Sequence, residues 1–165
     1  MCEQYAAYEL AASGDMDGVR MLIGKDPSLA SLVMYSALRN GNFKVADYAI
    51  DCGACDWNMG LAAAAYCNNF RYVKFFAKRK AKAWNWAIAE AAKKGHLQMV
   101  KYLVSRGTRI DLGHGLYISA EFGFLEGVKF FIKKGANRKE EALKVARECG
   151  HWEVEKYLSA NYFSQ

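Results

Sequence analysis

Cys52-Gly53-Ala54-Cys55 has the spacing of redox dithiols and of metal knuckles, with Cys67 twelve residues on. A reactive dithiol needs a helix N-terminus to lower its thiol pKa, and these cysteines close a helical stretch instead. A structural zinc site needs four ligands, and no second Cys-x-x-Cys or nearby His pair completes one. The pair is therefore read as chance placement in a loop. Of the three histidines, His96 and His151 each follow a glycine, and His114 lies between two glycines, where exposure is expected. None has a recurring nucleophile or acid beside it, so general acid–base work has no second member. No phosphate loop, paired-carboxylate pattern or triad order is visible. The chain is expected not to be an enzyme, with no catalytic residue, no cofactor and no metal.

The third chemical feature is charge. Lys+Arg outnumber Asp+Glu by 23 to 17, a net charge of +6. Lys74, Lys101, Lys129 and Lys156 stand 27, 28 and 27 residues apart, with Arg20 at the same position earlier and Asp47 breaking the row. Lys78-Arg79-Lys80, Lys82 and Lys133-Lys134 sit where helical patterns end, where cations complement the helix dipole. An anionic partner, nucleic acid included, is the reading this excess raises. Against it, neighbouring helices ~8–10 Å apart space the lysines too widely for successive phosphates of one strand.

That spacing belongs to the whole chain. Polar turns begin at Gly14, Gly41, Asn68, Gly95, Gly123 and Gly150, in steps of 27, 27, 27, 28 and 27 residues. Two places after each comes Met16, Phe43, Phe70, Leu97, Leu125 or Trp152. At seven and eight places stand Met21–Leu22, Tyr48–Ala49, Phe75–Phe76, Tyr102–Leu103, Phe130–Phe131 and Tyr157–Leu158. A fixed period of this size means stacked repeats, which offer an extended surface and not a closed pocket.

A second helical pattern precedes each turn. Seven residues before it are Met34, Leu61, Ile88, Leu116 and Leu143, and four before are Ala37, Ala64, Ala91, Ser119 and Ala146. These offsets share one helix face. Eight before are Val33, Gly60, Ala87, Gly115 and Ala142, small in four of five, as close approach of successive inner helices would need. Each unit is thus a short inner helix, a turn and a longer outer helix. Loops holding Gly53, Gly107 or Gly135 follow, where a left-handed helix cap is expected.

The fourth unit resembles the ankyrin repeat. Ala91-Ala92-Lys93-Lys94-Gly95-His96-Leu97, continuing to Gly107, matches the family's two alanines, two variable residues, Gly-His and a Leu/Val-rich helix. Gly150-His151 and Gly135-Ala136 repeat parts of it. The family period is ~33 residues, so each unit is about six short, and the β-hairpin finger is the expected loss. The Thr-Pro-Leu-His opening is absent too. Met59-Gly60-Leu61-Ala62, Trp86-Ala87-Ile88-Ala89 and His114-Gly115-Leu116-Tyr117 replace it, with Asn58 and Asn85 as candidate N-caps. Short units with Trp-Asn at the start are similar to ankyrin-like arrays of large DNA viruses and some protists. The family likeness implies that His96 and His151 bond the backbone of neighbouring loops.

The expected fold is an all-α solenoid of six helix–turn–helix repeats with reduced or absent hairpins. It forms one domain over 1–165, in repeats of 3–27, 28–55, 56–82, 83–110, 111–138 and 139–165, with Asn161–Gln165 as a tail. At 53% hydrophobic with one proline, the chain can bury a core. No apolar run is long enough to span a bilayer, no secretion or lipid signal is seen, and five cysteines without framework spacing fit a reducing compartment. The expected setting is cytoplasmic, the host cytoplasm for a viral protein, with the nucleus open. The expected function is protein–protein interaction through the concave inner-helix side that the resemblance implies, a host factor being the partner of a viral array. The alternative is an anionic-ligand binder using the basic outer face. A monomer or weakly self-associating chain is expected. Candidate partner-binding residues are Arg39, Tyr66, Trp86, Lys93, Lys94, Tyr117, Glu121 and Phe122, where packing constrains least. Trp57 and Trp84, which share a column, are read as plugs for the space of a missing hairpin.

Overall fold

The computed structural model describes residues 3–162. Cys2 and residues 163–165 of the expected tail lie outside it. Helices make up nearly all of it, and no strand occurs among the described residues. They are α1 (Glu3–Ser13), α2 (Met16–Lys25), α3 (Ala30–Arg39), α4 (Phe43–Asp51), α5 (Trp57–Tyr66) and α6 (Phe70–Lys78). Then come α7 (Trp84–Lys93), α8 (Leu97–Arg106), α9 (Leu112–Glu121), α10 (Leu125–Lys133), α11 (Lys139–Glu148) and α12 (Trp152–Tyr162). A 3-10 turn, Pro27–Leu29, precedes α3. Asn161 and Tyr162 thus belong to the last helix and not to a tail.

The helices form two compact units, one ending at Ala83 and one beginning at Trp84. In the first, the inner helices α1, α3 and α5 lie side by side, paired with the outer helices α2, α4 and α6. In the second, α7, α9 and α11 do the same, paired with α8, α10 and α12. The fold is the all-α helix-pair stack that the period implied.

Each inner helix ends in the same way. Gly14, Gly41, Asn68, Gly95, Gly123 and Gly150 all have positive φ, from 56° to 78°. The amide of the next residue then reaches back to a carbonyl of the last helical turn. Asn42 N donates to Ala37 O at 2.9 Å, His96 N to Ala91 O at 2.9 Å and Phe124 N to Ser119 O at 2.7 Å. This is the Schellman closure, which satisfies carbonyls a helix end leaves open. Outer helices α4, α6 and α10 close alike, through Gly53, Lys80 (φ 65°) and Gly135. The alanines that follow, Ala54, Ala81 and Ala136, are buried. The third expected glycine cap is not one: Gly107 is extended, at φ −74° and ψ 156°. The left-handed residue of that loop is Arg109.

The small column eight before the turn also has a different cause from the expected one. A Cβ on Gly60 would meet Phe76 Cε1 at 2.6 Å, and one on Gly115 would meet Phe131 Cζ at 2.4 Å. The glycines make room for a phenylalanine of their own repeat's outer helix, not for the next inner helix. Phe76 and Phe131 are fully buried. Phe76 is further hemmed by Trp57, Tyr72 and Phe75, at ring separations of 6.1, 6.1 and 5.1 Å.

Asn58 and Asn85 are not N-caps either. Asp56 caps α5, accepting from Asn58 N and Met59 N, and Asn85 is the second residue inside α7. The asparagines instead hold the loop that opens the next repeat. Asn58 Oδ1 accepts from Lys82 N at 2.8 Å and Ala83 N at 3.1 Å. Asn85 Oδ1 accepts from Asp111 N at 2.9 Å, while its Nδ2 donates to Arg109 O at 3.2 Å. One repeat earlier, Ser31 Oγ accepts from Cys55 N and Asp56 N. At the next equivalent position is Gly113, where a Cβ would meet Asn137 Oδ1 at 2.6 Å, and Arg138 pairs with Asp111 across that loop. In three successive repeats one side chain, Ser31, Asn58 or Asn85, thus satisfies loop amides of the next. Asn58→Ala is expected to cost about 0.5–1.5 kcal/mol and to speed amide exchange at Lys82 and Ala83. Asn58→Asp keeps both acceptors, whereas Asn85→Asp loses a donor and should be the more harmful of the two; exchange measured by NMR checks both.

Candidate partner-binding face

Arg39 ends α3, and its guanidinium carbon stands 3.7 Å from the centre of the Tyr66 ring, at the end of α5. It is also 5.4 Å from the Tyr35 ring, and Nη1 donates to Tyr35 Oη at 3.0 Å. A planar cation lying on one ring and bonded to another loses little rotamer freedom when it meets a partner. All three residues are half-buried. Sequence reading picked Arg39 and Tyr66 but missed Tyr35, whose signal was its place four residues before Arg39, one turn along the same face.

The second unit has its own arrangement. Lys93 ends α7, and its Nζ lies 2.8 Å from Glu90 Oε1 and 5.9 Å from the centre of the Phe122 ring. Glu90 is 4% exposed, so its charge is buried beside that ammonium. It too was missed, although the i,i+3 spacing to Lys93 was available. Phe122 is 48% and Trp86 38% exposed. Lys94 is exposed, and Tyr117 and Glu121 are half-buried. Glu121 contributes its carbonyl to His151 Nε2, at 2.9 Å. Among the candidates, the structure joins Arg39 with Tyr66 and Lys93 with Phe122.

The other chemically suggestive residues take ordinary places. His151 bonds the backbone of the preceding repeat, as the family likeness implied, and Asn42 does the equivalent, donating to Ala11 O and Ala12 O. His114 is half-buried, not exposed as expected. Cys52 and Cys55 are free thiols, half-buried and exposed. Burial pushes the Cys67 thiol pKa up, away from the reactive range. Among the described residues no group of three or more His, Cys, Asp or Glu could hold a metal ion. Trp57 packs on Phe75 and Phe76, with Arg79 above its ring.

The lysine row is uneven. Lys74, Lys101 and Lys156 are exposed, whereas Lys129 pairs with Glu126 at 2.7 Å. Asp47 interrupts the row because it accepts from the hydroxyl of Tyr72 at 2.7 Å. Burial first, and that hydrogen bond second, raise the Tyr72 phenol pKa well above its usual value.

No protein-family model matches the chain, and no curated protein does. Among solved structures, the crystal structure of the human ASB11 ankyrin repeat domain is similar over 96% of this chain and 84% of that one. The TM-score is 0.64 and the identity 21%. The likeness is one of fold: the helix pairs are stacked as in an ankyrin repeat domain. No described helix is long and apolar enough to cross a membrane.

Proposed function

We propose that the chain is a non-enzymatic protein–protein interaction module that binds through its inner-helix ends. The observation that carries this reading is the Tyr35–Arg39–Tyr66 stack, which presents a held guanidinium between two rings. Arg and Tyr are the residue types that dominate binding energy at protein interfaces. The Lys93–Phe122 contact and the exposed ring of Trp86 offer a second patch in the other unit. Lys94, Tyr117 and Glu121 complete the proposed set. Support also comes from the fold, since stacked repeats typically present binding surfaces and function must be argued from the site they carry.

The finer reading follows the short, hairpin-poor repeats. A chain of the viral type would act in the host cytoplasm on a host protein, and its docking surface would be helical. The test begins with affinity capture from cells of the natural host, followed by purified-component titration of whatever protein is recovered. Tyr66→Ala and Arg39→Ala should each weaken that complex by roughly tenfold or more, with Phe122→Ala acting similarly if the second patch is used. Unchanged affinity in all three variants, or turnover of a substrate by the purified chain, would overturn the proposal.

A further inference from the structure

Away from the inner-helix ends, α8 and α10 border a groove of ≈ 470 Å³. Its walls carry Lys101, Lys129, Lys133 and Lys134 against a single carboxylate, Glu126, with Leu97 and Phe130 as apolar lining. Glu126 is engaged by Lys129. Among the described residues, Lys101 and Lys133 have no carboxylate partner. Helix-dipole compensation accounts for Lys133 and Lys134 at the end of α10. It does not account for Lys101, in the middle of α8 (Leu97–Arg106), nor for Lys129 in the middle of α10.

We infer that this groove is a second docking site, for an extended acidic peptide segment of a partner protein. Two features favour a peptide over a nucleic acid. Lys129 and Lys133 are four residues apart on one helix, ~6 Å of rise, close to the ~6.6–7 Å at which an extended chain repeats a side-chain direction. Acidic residues two apart can therefore meet both. Leu97 and the half-exposed Phe130 ring offer an apolar wall to the side chain between the acids, which a sugar-phosphate strand lacks. The surplus charge would also speed encounter with an acidic segment.

The experiment uses the full chain and a fluorescein-labelled peptide alternating glutamate with leucine, followed by anisotropy. Lys101→Glu/Lys133→Glu should weaken binding roughly tenfold. Lys44→Glu/Lys74→Glu, the same charge change at exposed residues of α4 and α6, should alter it by less than about twofold. Circular dichroism confirms that each variant stays folded. Tyr66→Ala should leave peptide binding unchanged, which separates this site from the inner-helix patch. Equal effects of the two double variants, no effect of either, or tighter binding of labelled oligothymidylate than of the peptide would overturn the assignment.

Discussion

Gly60→Ala is expected to destabilise the chain by about 1–3 kcal/mol, and Phe76→Leu introduced beside it should recover most of that loss. The added methyl would stand 2.6 Å from Phe76 Cε1 and Cζ, inside van der Waals contact. Phe76 is fully buried and cannot swing away, because Trp57, Tyr72 and Phe75 surround it. The overpacking must therefore be taken up by an off-rotamer ring or a shifted helix. Alone, Phe76→Leu leaves a void and should also destabilise, by about 1 kcal/mol. The double variant should then be more stable than the sum of the singles predicts, with a coupling of about 1 kcal/mol or more. Urea unfolding of the four proteins measures it. Strictly additive losses would mean that Gly60 is small for some other reason.

The rescue is already written in the neighbouring repeats. Residues sixteen apart pair as Val33 with Ala49, Gly60 with Phe76, Ala87 with Leu103, Gly115 with Phe131 and Ala142 with Leu158. Where the inner member is largest the outer is smallest, and the reverse. The double variant turns the Gly/Phe pair into the Ala/Leu pair that two other repeats use. A core at organic-crystal density conserves the volume of the pair while allowing its division to vary.

The period and its two helix faces were legible because burial repeats with the helical stack. The left-handed turn positions were legible because glycine and asparagine tolerate positive φ. The reason for the small column was not: Gly60 and Phe76 vary together, and neither column alone reveals that they touch. The asparagine latches failed for a related cause. An asparagine near a helix start reads as a cap, yet Asp56, two positions before Asn58, takes that role in α5, and Asn85 lies inside α7, so both side chains reach the next loop. At the candidate face, Arg39 and Tyr66 belong to one repeating column, but their stacking, 27 residues apart, depends on how closely α3 and α5 approach. Side-chain contacts between repeats are tertiary facts that a period leaves undetermined.

The same limit decides how differently the turn glycines should respond to substitution. Gly41 and Gly123 have nearly the same backbone, φ 78° and 68°. Around Gly41 a Cβ would meet nothing within 4 Å, whereas at Gly123 it would meet His151 Nδ1 at 2.6 Å. Gly41→Ala therefore bears only the left-handed strain, about 1 kcal/mol, and Gly41→Asn less, since Asn68 already holds this position at φ 56°. Gly123→Ala bears that strain and also displaces the imidazole whose Nε2 bonds Glu121 O at 2.9 Å. The expected cost is roughly 2–3 kcal/mol. In a His151→Ala background the ring is gone, and Gly123→Ala should fall back to the cost seen at Gly41. Thermal or urea unfolding of the glycine variants in both backgrounds separates the two parts. A Gly123→Ala cost that persists without His151 would locate the whole effect in the backbone.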